Sequence, residues 1–251
     1  MALLDNIDSN PTRIIQINLQ HGKVSTAHLC AHLTELSAYI ALIQEPWVHN
    51  SKVKGFAKLS ANCYYDDSCS RPRTCMVISH NVRTKPVPNS VSQDLVARQL
   101  ESTKAILIGS TTYFPYDGID PPTGKFSSLY VFSRNINTGL LAGCDANAHH
   151  TMWGSSNINV RCDNLFTYLL CTDLQVIDKG KSPLLTLADR KLLTSHLSPQ
   201  LYLTSVLAGR LVMKRLYEII FKLSLILVQG LQLPLDYIEI QGKRTGANVL
   251  E

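Results

Sequence analysis

The chain lacks any Cys-x-x-Cys pair, and none of its cysteines has partner histidines at ligand spacing. Its seven cysteines, at 30, 63, 69, 75, 144, 162 and 171, are odd in number and scattered. That pattern excludes a disulfide framework and a zinc framework, and it indicates a reducing, intracellular compartment, nuclear or cytoplasmic. Cys63, Cys69 and Cys75 recur every six residues without those histidines, so a metal reading there is weak. The N-terminus, MALLDNIDSNPTR, has neither a basic start nor a sustained apolar run, which excludes a secretory signal. No stretch before residue 200 is long and apolar enough to cross a bilayer, so no membrane partner is expected. His28 and His32 stand four apart with no Glu between them, which argues against a zinc-protease pair and for a solvated helix face.

What is present fits a single large α/β domain. The 251 residues are 45% hydrophobic and 17% charged, an ordinary balance for a chain with a substantial core. The net charge of +5 and a pI near 8.8 suit a polyanionic partner, although many ordinary enzymes share them. Arg13 to Leu19 and Tyr39 to Gln44 read as strands buried on both faces, with an amphipathic helix over Gly22 to Ala38 between them. Val24, Ala27, Leu29, Ala31, Leu33 and Leu36 form the helix's expected apolar side. Further strands are expected over Cys75 to Ser79, Val96 to Leu100 and Ala105 to Tyr113, as antiparallel neighbours. Helices follow over Gly124 to Asn135 and Asn159 to Cys171, the second burying Val160, Leu165, Phe166, Leu169 and Leu170. A last strand starts at Leu174-Gln-Val-Ile177.

The polar residues cluster where strands end. Leu140 to Gly143 closes a buried strand, and Asp145 and Asn147 follow at its mouth. At period two on an extended backbone their side chains share one face, and together they suit a hard cation or a phosphoryl oxygen. The same Asx residues also populate plain turns. Asn18 closes the first strand, and Glu45 leaves the second directly into Pro46-Trp47; either is equally at home in a simple turn. Tyr113 ends its strand as a core aromatic with a wet hydroxyl, or as a phenol aimed at the same pocket. Lys52 to Lys58 and Arg71-Pro-Arg73 are basic loops, able to touch a phosphate backbone or simply to be solvated.

The ordered motifs INLQH, IQEPW, TYFPY and GCDANAHHTMWG resemble the endonuclease/exonuclease/phosphatase superfamily. Within it they look most like the apurinic-type endonuclease domains of insect non-LTR retrotransposons. The resemblance spans residues 13–183, after a tail of 1–12, and leaves 184–251 as an atypical Leu-rich tail. It implies an α/β four-layered sandwich of two mixed sheets flanked by helices, deoxyribonuclease-I-like and C-terminally incomplete. It also implies Mg²⁺ (or Mn²⁺) as cofactor and cleavage of a DNA phosphodiester, in a parent element that carries a reverse transcriptase. Residue by residue, Glu45 and Asn18 match the metal site, Asp145 and Asn147 the pair that orients water and phosphate, and Tyr113 the active-site tyrosine. His149, His150 and Trp153 belong to the retrotransposon form of the motif and face substrate. A superfamily phosphatase is the weaker reading, since the flanks are nuclease-like.

Beyond Pro183 the family's closing Asp strand and terminal Asp-His pair are missing. Reading the codons for Lys191 to Ser195 one frame over can give Val-Ile-Asp-Ile. The same offset over Leu216 to Ile220 can give Leu-Arg-Asp-His, and over Pro183 to Leu185 Thr-Phe. Three matches in one offset and in order point to a frame change after about Pro183. On that reading the chain is an impaired or inactive endonuclease; the alternative is a non-catalytic nucleic-acid-binding remnant or a non-functional product. The in-frame tail otherwise reads as a helix over Leu201 to Gln229. Its apolar part, Leu216 to Val228, is short and interrupted by Lys222, with Lys214 just ahead, which weighs against a membrane contact.

Overall fold

Adjacent β-branched and apolar residues start the chain's first strand, because a strand buried on both faces needs no alternation. β1 (Arg13–Asn18) lies parallel to β2 (Tyr39–Gln44), with Asn18 opposite Gln44. A crossover through α1 (Lys23–Thr34) joins them, as a parallel pair requires. A computed structural model describes residues 12–101, 106–117, 121–149, 158–176 and 224–229. A two-stranded hairpin, β3 (Val48–His49) and β4 (Lys52–Val53), follows β2 and turns through Asn50 and Ser51, both at positive φ. That is the twist a two-residue hairpin turn demands. β5 (Ala61–Tyr64) and β6 (Thr74–Ser79) complete a four-stranded mixed sheet in the order β1-β2-β6-β5.

The second sheet is built from β7 (Arg83–Ser92), β8 (Leu95–Glu101), β9 (Ile106–Tyr113), β10 (Gly139–Asp145), β11 (Gln175–Val176) and β12 (Ser224–Gln229). Its order is β11-β12-β10-β9-β8-β7, antiparallel except for the parallel β9–β10 pair. That parallel pair again needs a helical crossover, supplied by α2 (Gly124–Asn135). α3 (Val160–Cys171) follows β10. Side chains sort into three cores. Ile14, Leu42, Met76, Val96, Leu107 and Leu141 fill the space between the sheets. Leu29 and Leu33 of α1 cover the outer face of the first sheet, and Phe126, Leu129, Cys162 and Leu165 of α2 and α3 cover that of the second. The layers are therefore helix, sheet, sheet, helix, a four-layered α/β sandwich.

Several expectations are corrected. α1 buries Ser25 and Thr26 with Leu29 and Leu33, while Val24 is exposed, because the loop after β4 rather than the sheet covers its first turn. Thr26 satisfies its hydroxyl on the Gly22 carbonyl at 2.8 Å, which lets a polar residue sit inside. On α3, Val160 and Leu170 are exposed; Arg161, Cys162 and Leu165 face inward, so the buried stripe is rotated from the one expected. β7 contains Pro86 and Pro88 and carries no strand signal in sequence; it lies at the sheet's edge, where a missing N–H is tolerated. The helix expected to run to Gln229 does not hold at its end, since Ser224–Gln229 is a strand hydrogen-bonded antiparallel to β10. The rest of 184–251 lies outside the described residues, as do 1–11, His150 and Trp153. All seven cysteines are free thiols. Among the described residues no helix is long and apolar enough to cross a membrane.

At Gly143 the two sheets pack tightly. A Cβ there would stand 2.9 Å from Leu42 Cδ1 and 3.2 Å from Gln16 Cδ, so a side chain would displace Leu42 and Gln16 of the facing sheet. This close approach brings the ends of β1, β2 and β10 to one mouth.

Candidate active site

Two parallel strand pairs, one in each sheet, end side by side, and their last residues are polar. In the first sheet these are Asn18 and Gln44-Glu45; in the second, Tyr113 lies opposite Asp145. Buried amides bolt the two pairs together. Gln16 Nε2 donates to the Cys144 carbonyl at 2.9 Å. Gln44 Nε2 donates to Thr111 Oγ1 at 3.0 Å and to the Gly143 carbonyl at 3.1 Å, and Thr111 donates in turn to the Ile43 carbonyl. Polar bonds of this kind in an apolar interlayer fix one register, since a slip would strand the buried amides unpaired. Sequence reasoning does not single out Gln16, Gln44 and Thr111 as cross-sheet contacts. The available signal is their place as amides and a hydroxyl inside otherwise apolar strands.

The outermost bond of this set joins two of the expected site residues. Asn18 Nδ2 donates to Asp145 Oδ2 at 2.6 Å, and Asn18 Oδ1 accepts the Gln20 N–H at 2.8 Å. Those partners fix the amide's orientation, because the flipped form would set oxygen against carboxylate. Asp145 is fully buried, Asn18 2% exposed and Glu45 8% exposed, so the carboxylates sit at the floor of the mouth rather than on its rim. Glu45 has a positive φ of 47°, an uncommon conformation for a residue with a side chain. It is held there by its N–H on the Arg73 carbonyl and by its own carbonyl receiving the His21 N–H, both at 2.8 Å.

Asn147 does not continue the strand pleat, which corrects the expectation of a shared extended face with Asp145. β10 ends at Asp145, and Asn147 is left-handed at φ 46°. Its N–H reaches Asp145 Oδ1 at 3.3 Å and its Nδ2 donates to the Phe114 carbonyl at 3.0 Å, leaving the amide oxygen as its outward group. Asn159, at the start of α3, pins the loop: its Nδ2 donates to the Asn147 carbonyl and its Oδ1 accepts the His149 N–H. His149 is thus held near the mouth through its backbone. Cys144, beside Asp145, packs into the outer core, and burial pushes its thiol far above the ordinary range. It is an apolar filler, not a nucleophile.

Arg73 and Asp94 form the third wall. Arg73 donates from Nε to Asp94 Oδ1 and from Nη2 to Oδ2 at 2.7 Å, and its guanidinium lies 5.2 Å from the centre of the Tyr113 ring. The Tyr113 N–H donates to the Asp94 carbonyl at 2.9 Å. Burial works against the guanidinium's charge, but the bond to Asp94 outweighs it and the Arg73 pKa is raised. Arg73 therefore touches Glu45 through its backbone carbonyl and the Tyr113 ring through its guanidinium. Asp94 has no sequence signal, being a lone Asp in a tight turn. Asp94→Asn is expected to remove about 1–2 kcal/mol of stability, read as a lower urea midpoint with an unchanged slope.

As a donor set for a cation, the mouth offers the carboxylates of Glu45 and Asp145 and the amide oxygen of Asn147, all hard oxygens. Among the described residues no cluster of three or more His, Cys, Asp or Glu forms a metal cage, at Cys63, Cys69 and Cys75 or elsewhere. Carboxylate and amide oxygens are the donor chemistry of Mg²⁺ and not that of Zn²⁺, so the residue types present fit that ion.

Two mixed sheets packed face to face, with helices outside and polar strand ends at their junction, give a deoxyribonuclease-I-like fold. Residues 127–198 match the family described as Endonuclease-reverse transcriptase. Among solved structures, the endonuclease domain of TRAS1, a telomere-specific non-LTR retrotransposon, aligns at 25% identity and TM-score 0.55, covering 68% of this chain and 74% of that one. Truncated TDP2 of Caenorhabditis elegans aligns at 11% identity and TM-score 0.44, covering 86% and 83% of the two chains. An AP endonuclease from Archaeoglobus fulgidus aligns at 10% and 0.39, covering 86% and 84%. No curated protein matches the sequence. Part of the chain thus matches an endonuclease-reverse transcriptase family model, and its fold is similar to that of a retrotransposon endonuclease domain.

Proposed function

We propose that the mouth between the sheets is the metal-and-phosphate half of a DNA phosphodiester endonuclease site of retrotransposon origin, impaired in this chain. The observation that carries it is the 2.6 Å bond from Asn18 to Asp145, which joins residues 127 apart in sequence at one buried polar floor. Glu45 and Asp145 would hold Mg²⁺, which when bound supplies positive charge against the oxyanion that develops at phosphorus. Asn18 orients the Asp145 carboxylate by donating to one oxygen and leaves the other toward the Asn147 loop. Asn147, with its amide nitrogen tied to the Phe114 carbonyl, presents an oxygen to water or phosphate. Tyr113, under the Arg73 guanidinium, stands at the end of β9 opposite Asp145 and assists with its phenol. By the resemblance, His149, His150 and Trp153 contact the substrate. DNA is the substrate, and a reverse transcriptase domain belonged to the parent element.

What this half-site lacks is the Asp-His pair that the family places at its end. Losing a general acid or base costs roughly 10²- to 10⁴-fold, so weak nicking is the expected residual activity. Supercoiled plasmid with Mg²⁺ is the assay: slow nicking that falls at least about 100-fold in Glu45→Ala supports the reading. Nicking that survives Glu45→Ala overturns it. The missing pair favours one second reading, a non-catalytic nucleic-acid-binding remnant, which would bind DNA in a salt-sensitive way without any Mg²⁺-dependent nicking.

We infer further that the missing pair lies in another reading frame after about Pro183. Sequencing the transcript across the codons for Ser182 to Leu187 tests this. An inserted or deleted base relative to sister copies of the element is the expected result; an intact frame with no coding potential in the offset frame overturns it.

A further inference from the structure

Beside the mouth, one face of the molecule is rich in lysine, with Asp67 near Tyr65 as an acidic neighbour. From Gln20 to Thr34 and from Pro46 to Tyr65 the sequence contains no Asp or Glu, yet it holds Lys23, Lys52, Lys54 and Lys58. The structure brings these two stretches into contact. Lys23, at the start of α1, lies with its Nζ 5.4 Å from the centre of the Trp47 ring. The Lys54 N–H donates to the Trp47 carbonyl at 2.9 Å, and Cys30 Sγ donates to the Gly55 carbonyl. Gly55 has φ of 104°, and a Cβ there would stand 2.4 Å from Thr26 Cγ2 and 3.7 Å from Trp47 Cε3, so the loop after β4 is pressed onto α1 and onto the indole.

Lys23 and Lys52 are exposed, and the hairpin that holds Lys52 is made rigid by its two-residue turn. The first turn of α1 has no acidic residue and no side-chain cap, so its amides add to the same field. This face begins immediately beside the candidate site. Glu45 is followed by Pro46 and Trp47, and the Pro46 carbonyl contacts His21 Nδ1 at 3.1 Å.

We propose that this face, Lys23 with the β3–β4 hairpin and the loop to Lys58, is a docking surface for the sugar-phosphate backbone of duplex DNA flanking the mouth. The proposal rests on the nuclease reading for its choice of polyanion. Lys23 stands over one face of the Trp47 ring, and the lysines are the groups this face offers to a polyanion. Contacts there are to phosphates, which makes the grip independent of sequence and strongly dependent on salt.

The test is the salt dependence of binding of the full chain to a labelled duplex of about 30 base pairs in EDTA, by fluorescence anisotropy. Lys23→Gln/Lys52→Gln is expected to reduce the slope of log K against log salt by about 1.8 and to weaken binding roughly tenfold or more at about 0.1 M salt. Lys85→Gln/Lys125→Gln removes the same charge elsewhere and is expected to stay within about twofold of the parent chain. Equal loss in both double variants, no effect of the first, or no salt-sensitive DNA binding by the parent chain overturns the proposal. So does tighter, Lys23- and Lys52-dependent binding to phosphatidylserine vesicles than to the duplex. Because EDTA removes divalent ions, failure here leaves the Glu45 nicking result standing, and failure of that result leaves this binding measurable.

Discussion

Asp145→Ala is expected to weaken Mn²⁺ binding at least about tenfold and to lower unfolding free energy by about 1–3 kcal/mol. Both effects follow from one carboxylate. Asp145 is fully buried, and its two oxygens receive the Asn18 amide and the Asn147 N–H. Truncation leaves those donors without acceptors at a buried position, and an unsatisfied buried donor costs its full desolvation. Asp145→Asn separates the two roles. An amide oxygen can still accept from Asn18, so most of the stability should return, while the loss of charge keeps the cation weakly bound. Mn²⁺ titration followed by electron paramagnetic resonance and urea unfolding give the two readouts without requiring turnover. Asp145→Ala with unchanged Mn²⁺ affinity would remove the carboxylate from the cation site.

Phe126→Ala should cost the fold more than any other substitution proposed for this chain, about 3–5 kcal/mol. Phe126 is fully buried under α2. It packs edge-on against Phe114 at 5.6 Å and against Tyr168 of α3 at 6.4 Å. The vacated space would sit behind Phe114, whose N–H donates to the Asp145 carbonyl and whose carbonyl holds Asn147. The site loop should therefore loosen along with the core. Urea unfolding measures the loss, and Phe126→Leu is expected to recover most of it, since the lost contacts are apolar and non-directional.

The motif residues are legible because they stand where strong local patterns stop. Apolar runs end at Asn18, Glu45 and Asp145, and a buried strand that opens into a carboxylate or amide reads as a strand mouth without any knowledge of its neighbours. α2 occupies Gly124–Asn135, the bounds its sequence predicts. The apolar sides of α1 and α3 differ from expectation because helical periodicity says only that a stripe exists. Which residues are covered depends on what packs there: the Gly55 loop takes Thr26 into the interior, and Val160 is left at the exposed start of α3. β7 is hidden in the sequence because its prolines speak against a strand unless the strand is known to be an edge. The Leu-rich tail reads as helix on composition, but pairing with β10 makes Ser224–Gln229 a strand; a short apolar run takes its form from the neighbour that offers free backbone groups.

By itself, the sequence determined which groups are available, a hard-oxygen set at strand ends and an acid-free basic stretch, and the ordered motifs that mark the superfamily. Only the tertiary structure decided that Asn18 turns its amide nitrogen toward Asp145, that Arg73 pairs with Asp94 over the Tyr113 ring, and that Lys23 lies against Trp47 beside the hairpin. These are contacts between residues far apart in the chain, set by the close approach of two sheets at Gly143, and no local propensity encodes such a distance.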